Sequence, residues 1–272
     1  MKKIVLLISL LFVFAACGAG SAEHNSESNY NPTEEAEETE EVGEVEEIAV
    51  QELFYASTGR ALDPSMPSIA LTFDDGPNTT ISVQILDALE ERGLVATFFV
   101  IGQEINDESA EVMRRGFALG NEYAPHSWDW HSTTSKNKEG NIETIIRTRD
   151  RIEEILGEDA RSAFHRPHGS YPNAAGVEAV IELGYPLISG LWADDWQSNI
   201  TPETIFERIV PNVEDGTIIG LHDGSGNRAT AEAIGDILDA LIEEGFQFLT
   251  LAELFELRGA TIEPGIIYYY VR

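Results

Sequence analysis

Two pairs of adjacent aspartates, Asp74-Asp75 and Asp194-Asp195, and five histidines, His126, His131, His165, His168 and His222, each fall at or just beyond the end of a short apolar run. Neighbouring carboxylates at a strand end point in different directions, so one can bind a cation while the other accepts a proton. Asp75, His126 and His131 together offer one carboxylate and two imidazoles. That ligand set suits zinc or a similar divalent ion, cobalt and nickel included, with water completing the coordination. Such an ion lowers the pKa of its bound water and polarises a carbonyl, which is what hydrolysis of an amide or ester needs.

The runs that carry these groups alternate with helical patterns. Apolar stretches at 68–73, 96–102, 119–124, 163–167, 185–192, 217–221 and 246–251 are separated by helix-like segments at 81–92, 109–117, 140–156, 174–183, from Pro202 onward, and at 229–244. Gly93, Gly184 and Gly245 stand where helices stop, and Thr201-Pro202 is a helix start. Seven such alternations predict an α/β protein with parallel strands, arranged as an incomplete or distorted (β/α) barrel. In a barrel the C-terminal strand ends converge on one face, which brings the aspartates and histidines together there. The segment Tyr268-Tyr269-Tyr270 reads as a closing packed tail.

Composition narrows the partners. With 48 Asp and Glu against 17 Lys and Arg, the net charge of −31 repels phosphate backbones and anionic surfaces, so nucleic acid is excluded as a partner. Lys2 and Lys3 precede an apolar run at 4–16 that is too short to span a bilayer and has the length of a signal-peptide core. It ends Phe14-Ala15-Ala16-Cys17-Gly18, which resembles the bacterial lipoprotein cleavage box, with Cys17, the single cysteine, as the lipid acceptor. Residues 23–52 hold twelve glutamates and no Lys or Arg, a self-repelling extended tether. The expected organisation is therefore a lipoprotein signal peptide at 1–16, an anchored acidic tether at 17–52 and one domain at 53–272. The protein is expected to be exported, anchored to the cell membrane through Cys17, facing the cell wall, and monomeric.

The motifs in that domain resemble the polysaccharide deacetylases with the NodB-homology domain, carbohydrate esterase family 4, over residues 67–257. Leu71-Thr72-Phe73-Asp74-Asp75-Gly76-Pro77 matches the family's first motif throughout. The resemblance implies a seven-fold distorted barrel that removes N-acetyl or O-acetyl groups from sugars by metal-activated water, with Asp74 as general base and Asp75 as a metal ligand. The second motif, two histidines four apart, reads His126-Ser127-Trp128-Asp129-Trp130-His131, with the second histidine one residue late. Either His131 still binds the metal or Trp130 occupies the ligand position and water replaces the imidazole, as in acetyl-xylan-type members. The third motif reads Phe164-His165-Arg166-Pro167-His168-Gly169. His165 stands where the family has the arginine that orients the base, so either a protonated His165 or Arg166, through a shifted backbone, takes that role. His168 stands at the tyrosine position, whose backbone N–H serves the oxyanion.

The fourth motif survives as Trp192-Ala193-Asp194-Asp195-Trp196. Asp195 matches the residue that tunes the catalytic histidine, while Trp196 and Trp192 are expected to wall the pocket and stack on sugar faces. The fifth reads Gly220-Leu221-His222-Asp223. By resemblance His222 is the general acid and Leu221 belongs with the substrate-binding residues. Gly220 replaces a leucine that lines the acetyl pocket, which predicts a wider pocket. The expected activity is deacetylation of N-acetylglucosamine-containing polysaccharide, peptidoglycan or chitin-like oligomers. An acetyl-xylan esterase of the same family, and a carbohydrate-binding protein on the same fold whose catalysis has decayed, are the alternatives.

Overall fold

The computed structural model describes residues 60–169 and 171–272. The leader at 1–16, Cys17, the tether to residue 52 and the expected start of the domain at 53 lie outside the described residues. Among those described, no helix is long and apolar enough to cross a membrane.

Strand β1 (Ser68–Asp74) is buried along its whole length and forms the centre of a parallel sheet. It pairs with β2 (Thr97–Ile101) on one side and β6 (Ile218–His222) on the other, with Asp74 in register with both Phe99 and His222. The order continues to β3 (Glu122–Ser127) beyond β2 and to β5 (Leu191–Trp192) beyond β6, while β7 (Gln247–Leu249) pairs with the first residues of β1. A second pair is formed by β4 (Leu187–Ile188) and β8 (Ile267–Tyr268). Single backbone bonds join the two. Arg166 N–H donates to Pro125 O (3.4 Å), Ile188 N–H to His165 O (3.0 Å), Ser189 N–H to Tyr268 O (2.8 Å) and Ile218 N–H to Tyr269 O (3.4 Å). Pairing can thus be followed from β3 through 163–167, β4 and β8 back to β6, and the sheet curls into the expected distorted barrel.

The period-2 alternation of the strands sorts their side chains into two layers. On β1 and β6, Ile69, Leu71, Phe73, Ile219 and Leu221 face outward into one apolar cluster with α1 (Ile81–Arg92) and α6 (Arg228–Glu243). Ala70 and Ile218 belong instead to a second cluster with Phe99, Phe164, Leu249, Leu251 and Phe255, which fills the barrel bottom. Residues of that same inward face at the other strand ends are Thr72, Asp74, Gly220 and His222, so the chemistry sits at the top of a plugged barrel.

The helical periodicity places α1 at its expected residues, and α2 (Asp107–Ala118), α3 (Lys138–Leu156), α4 (Ala174–Glu182) and α6 agree with theirs to within two residues. Thr201 caps α5 (Pro202–Ile209) through its side chain, with Pro202 in the first turn, as the sequence predicts. Helix α7 (Leu251–Arg258), not expected, starts with a capping box formed by Thr250 and Glu253. Three strand expectations change. The strand expected at 119–124 runs instead over Glu122–Ser127, since Leu119 still caps α2. Residues 163–167 make one bridge, His165 to Leu187, and not a strand. The run at 185–192 divides into β4 and β5 at Ser189-Gly190, where a Cβ on Gly190 would lie 2.6 Å from Ile218 O, so glycine lets the chain cross close to β6.

Candidate active site

Asp74 closes β1 with its carboxylate buried, and its partner is Arg166. The guanidinium donates from Nη1 to Asp74 Oδ1 (2.6 Å) and Thr72 Oγ1 (2.8 Å), from Nε to Ile188 O (3.2 Å) and from Nη2 to Ser189 O (3.1 Å). It is 1 % exposed and lies over the Phe99 ring at 4.3 Å, with the Trp192 ring at 5.0 Å. A buried charge needs a partner and satisfied donors, and this one has Asp74 and acceptors for four of its five N–H groups. The arginine role therefore falls to Arg166 and not to His165. His165 Nδ1 instead donates to Pro125 O (2.9 Å), and burial pushes its imidazole down to about 3, so it stays neutral and packs against Tyr185.

Asp75, His126 and His168 bring one ligand atom each within 4.8 Å of one another. His126 Nδ1 donates to Arg166 O (2.7 Å), which leaves Nε2 to face Asp75 Oδ1 at 3.5 Å. His168 Nε2 lies 3.9 Å from the same oxygen, and the two imidazoles meet edge to face with centroids 5.2 Å apart. Burial raises the Asp75 carboxyl, but His126, His222 and His168 outweigh it and hold it below its ordinary value. Burial, then His126, hold His168 below the usual imidazole range. Asp75 Oδ1 is buried with no hydrogen-bond partner. A carboxylate oxygen left bare beside two imidazole nitrogens is what a divalent cation would satisfy, so the residues present fit such an ion.

This triad corrects the expected one. His131 is not in it: its side chain is 77 % exposed and pairs with Asp129 at 3.3 Å. β3 ends at Ser127, and in the turn that follows His131 N–H donates to Asp129 Oδ1 (2.9 Å) with the imidazole out in solvent. His168, expected to act only through its backbone N–H, supplies the second imidazole. Trp130 does not take the ligand position either. It bonds Glu104 through Nε1 (2.8 Å) and sets its ring against His168 with centroids 5.9 Å apart.

On β6, the strand beside β1, His222 Nδ1 donates to Asp195 Oδ1 (2.7 Å), and its backbone N–H to Asp195 Oδ2 (2.8 Å). Thr230 Oγ1 donates to that second oxygen (2.7 Å), so the buried Asp195 carboxylate is fully engaged. Burial disfavours the charged His222, but Asp195, then Asp74 and Asp75, reverse this and raise it to about 9. The imidazolium is thus available at neutral pH, with its Nε2 proton free of Asp195.

Asp74, Asp75, His126, Arg166, His168, Trp192, Trp196 and His222 line one cleft of about 260 Å³. Trp196 is 67 % exposed at its edge. Leu221 does not line it: the alternation that turns Gly220 and His222 inward turns Leu221 into the outer core, where it is fully buried. Nor does Gly220 widen the cleft. A Cβ there would lie 2.7–2.8 Å from three Trp192 ring carbons, so the indole occupies the hollow that the glycine leaves. Sequence reasoning passes over Thr230, Ser82 and Asp223. Asp223, buried beside the site, meets the same strand-end criterion that selects Asp74 and Asp75.

The polysaccharide deacetylase family profile matches residues 61–188. A bifunctional xylanase/deacetylase of Pseudobutyrivibrio xylanivorans is 36 % identical over 200 residues, 74 % of this chain but only 32 % of that protein. A peptidoglycan-N-acetylglucosamine deacetylase of Bacillus cereus is 32 % identical over 196 residues, 70 % of this chain and 89 % of that one. Among solved structures, a family 4 acetyl xylan esterase of Clostridium thermocellum in complex with a cobalt ion superimposes with a TM-score of 0.70 at 33 % identity, covering 75 % of this chain and 98 % of that one.

Two outcomes follow from the packing. Arg166→Met strands the buried Asp74 and should lower stability by about 3–5 kcal/mol, read as a lower urea midpoint, whereas the double variant with Asp74→Asn should recover part of the loss. Gly220→Leu should cost about 1–3 kcal/mol by overpacking against Trp192. Adding Trp192→Ala should relieve that clash, so a thermal-unfolding double-mutant cycle will be non-additive.

Proposed function

Because this chain belongs to the polysaccharide deacetylase family, we propose that it hydrolyses acetyl groups on an N-acetylglucosamine-containing polysaccharide, acting as a monomer with a bound divalent metal, zinc in the first place. The observation that carries this reading is the pairing of two oppositely prepared groups across one triad. Asp74 is held by Arg166 on one side and His222 by Asp195 on the other, with Asp75, His126 and His168 lining the same cleft. The Bacillus cereus relative, of which this chain spans 89 %, supports the peptidoglycan N-acetylglucosamine class of substrate. So does the reading of 1–16 and Cys17 as a leader and lipid anchor, which would keep the domain beside the cell wall.

Asp75, His126 and His168 would hold the metal. When bound, such an ion supplies Lewis acidity toward water and an acyl carbonyl. The protein's own groups do the proton work. Asp74, oriented by Arg166, accepts a proton from the attacking water through the carboxylate edge that faces the triad. His222 donates its Nε2 proton to the departing sugar nitrogen or oxygen, while Asp195 holds the ring by Nδ1 and steadies its charge. Trp192 and Trp196 give the cleft its apolar walls, suited to the acetyl methyl and a sugar face.

A second reading, an acetyl-xylan esterase, is favoured by the 36 % identity to a xylanase/deacetylase and by the similarity to an acetyl xylan esterase. Acetate release from N-acetylglucosamine oligomers and from acetylated xylan, each with chelator and with added zinc or cobalt, separates the two. Chelator-sensitive release from the oligomers is expected. Release from xylan alone would transfer the assignment to the esterase, and no release from either with any metal would overturn the hydrolase.

Asp74→Asn should lower turnover by about 10²–10⁴-fold while metal binding, measured by chelator competition, persists. The acid form of His222 is present below its pKa and lost as pH rises through it. Asp195→Asn removes the main group that raises that pKa, so the alkaline limb of kcat should move to lower pH; an unmoved limb would argue against His222 as the acid.

A further inference from the structure

Asp75 is one of only two non-glycine residues among those described with positive φ, at 79°. An L-residue other than glycine enters this region only where its surroundings impose it. The turn is held from both flanking strands: on the β2 side Asp75 N–H donates to Phe99 O (3.2 Å) and Ile101 N–H to Gly76 O (2.8 Å), and on the β6 side the one residue that bonds it is Asp223. Asp223 N–H donates to the carbonyl of Asp74 (2.8 Å), immediately before Asp75. Gly76 N–H, immediately after it, donates to Asp223 Oδ1 (2.9 Å). The two bonds bracket Asp75 from both sides of its own backbone.

The bracket is itself held. Ser82 Oγ donates to Asp223 Oδ2 (2.5 Å) and accepts from Asn78 N–H (2.8 Å), tying the loop after β1 to the start of α1. Steric room is reserved for it at two glycines. A Cβ on Gly76 would meet Asp223 Oδ2 at 2.3 Å, and one on Gly224 would meet the Asp75 Cβ at 3.0 Å. Asp223 is 1 % exposed, and its carboxylate is satisfied by the loop and Ser82, so it is not itself a ligand of the triad.

We infer that Asp223 is a positioning residue: it clamps Asp75 in the left-handed conformation that turns the Asp75 carboxylate toward His126 and His168. The inference rests on the reading of Asp75, His126 and His168 as a metal site. Its consequence is a preorganised carboxylate, so the clamp acts on metal affinity before it acts on turnover. Partners that orient a ligand typically contribute about 10–100-fold to metal binding.

The test is zinc binding by the full-length protein, measured by competition with a chromophoric chelator, with cobalt absorption as a second readout of the ligand set. Asp223→Ala is expected to weaken zinc by about 10–100-fold and to perturb the cobalt spectrum. Asp223→Asn, whose amide oxygen can still accept from Gly76, should stay nearer the parent. A purely structural role would lower the melting temperature without moving the zinc constant of the folded protein. Parental affinity in a folded Asp223→Ala would overturn the inference. Should that variant not fold, Ser82→Ala, which removes only the outer bond of the clamp, must weaken zinc, and an unchanged constant there would overturn it equally. A parent that binds neither zinc nor cobalt would overturn the metal reading and the clamp with it, an outcome distinct from a parent that binds and variants that do not differ.

Discussion

The buried pair between Asp74 and Arg166 is the interaction around which the site is arranged. A carboxylate and a guanidinium withdrawn from water lose several kcal/mol of solvation each, and only a close partner, with most of the remaining donors satisfied, makes that tolerable. Arg166 meets the condition by spreading its donors over Asp74, Thr72 and the carbonyls of Ile188 and Ser189. In doing so it ties the end of β1 to the crossing between β4 and β5, on the far side of the barrel. Its own carbonyl then receives His126 Nδ1, which fixes the ring whose Nε2 faces Asp75. The Asp74 carboxylate, the imidazole that faces Asp75 and barrel closure thus share one residue.

The second arm is built on the opposite logic. His222 is held by a carboxylate that is itself saturated, with the Asp195 oxygens engaged by the His222 ring, the His222 backbone and Thr230. An anion fixed at that distance raises the imidazole to about 9 despite its burial. Two neighbouring strands, in register at Asp74 and His222, therefore present a stabilised carboxylate and a stabilised imidazolium to the same cleft. Separating proton acceptor from proton donor in this way is what general acid–base catalysis at neutral pH requires.

Asp223 joins the two arms. Following His222 directly, it anchors the turn that carries Asp74 and Asp75 and has its own carboxyl raised to about 7, by burial first and then by Asp75 and Asp74. Burying a third acidic group this close to two others is electrostatically unfavourable, and the hydrogen bonds from Gly76 and Ser82 oppose that cost. The glycines at 76 and 224 keep the space open for it.

Much of this was legible in the amino-acid sequence. The alternation of apolar runs and helical periods gave the parallel barrel-like architecture, because hydrophobic period and cap residues are local properties. Strand-end placement brings Asp74, Asp75, His126 and His222 into one cleft, with Asp195 behind His222, because parallel strands deliver all their C-terminal ends to one face. What the sequence left open was decided by contacts between distant segments. Whether His165 or Arg166 meets Asp74 depends on which of two adjacent side chains the bridge at 163–167 turns inward. Whether His131 or His168 reaches Asp75 depends on where β3 ends and on the path of a loop some forty residues later. Leu221 lies on the outer face because a strand changes sides at each residue, and Trp192 fills the space above Gly220 because β5 packs on β6. Residue type and local period determined which chemistry was possible and at which face. Tertiary structure alone selected, among neighbouring candidates, the side chains that deliver it, since burial, register and hydrogen-bond satisfaction are properties of the assembled fold.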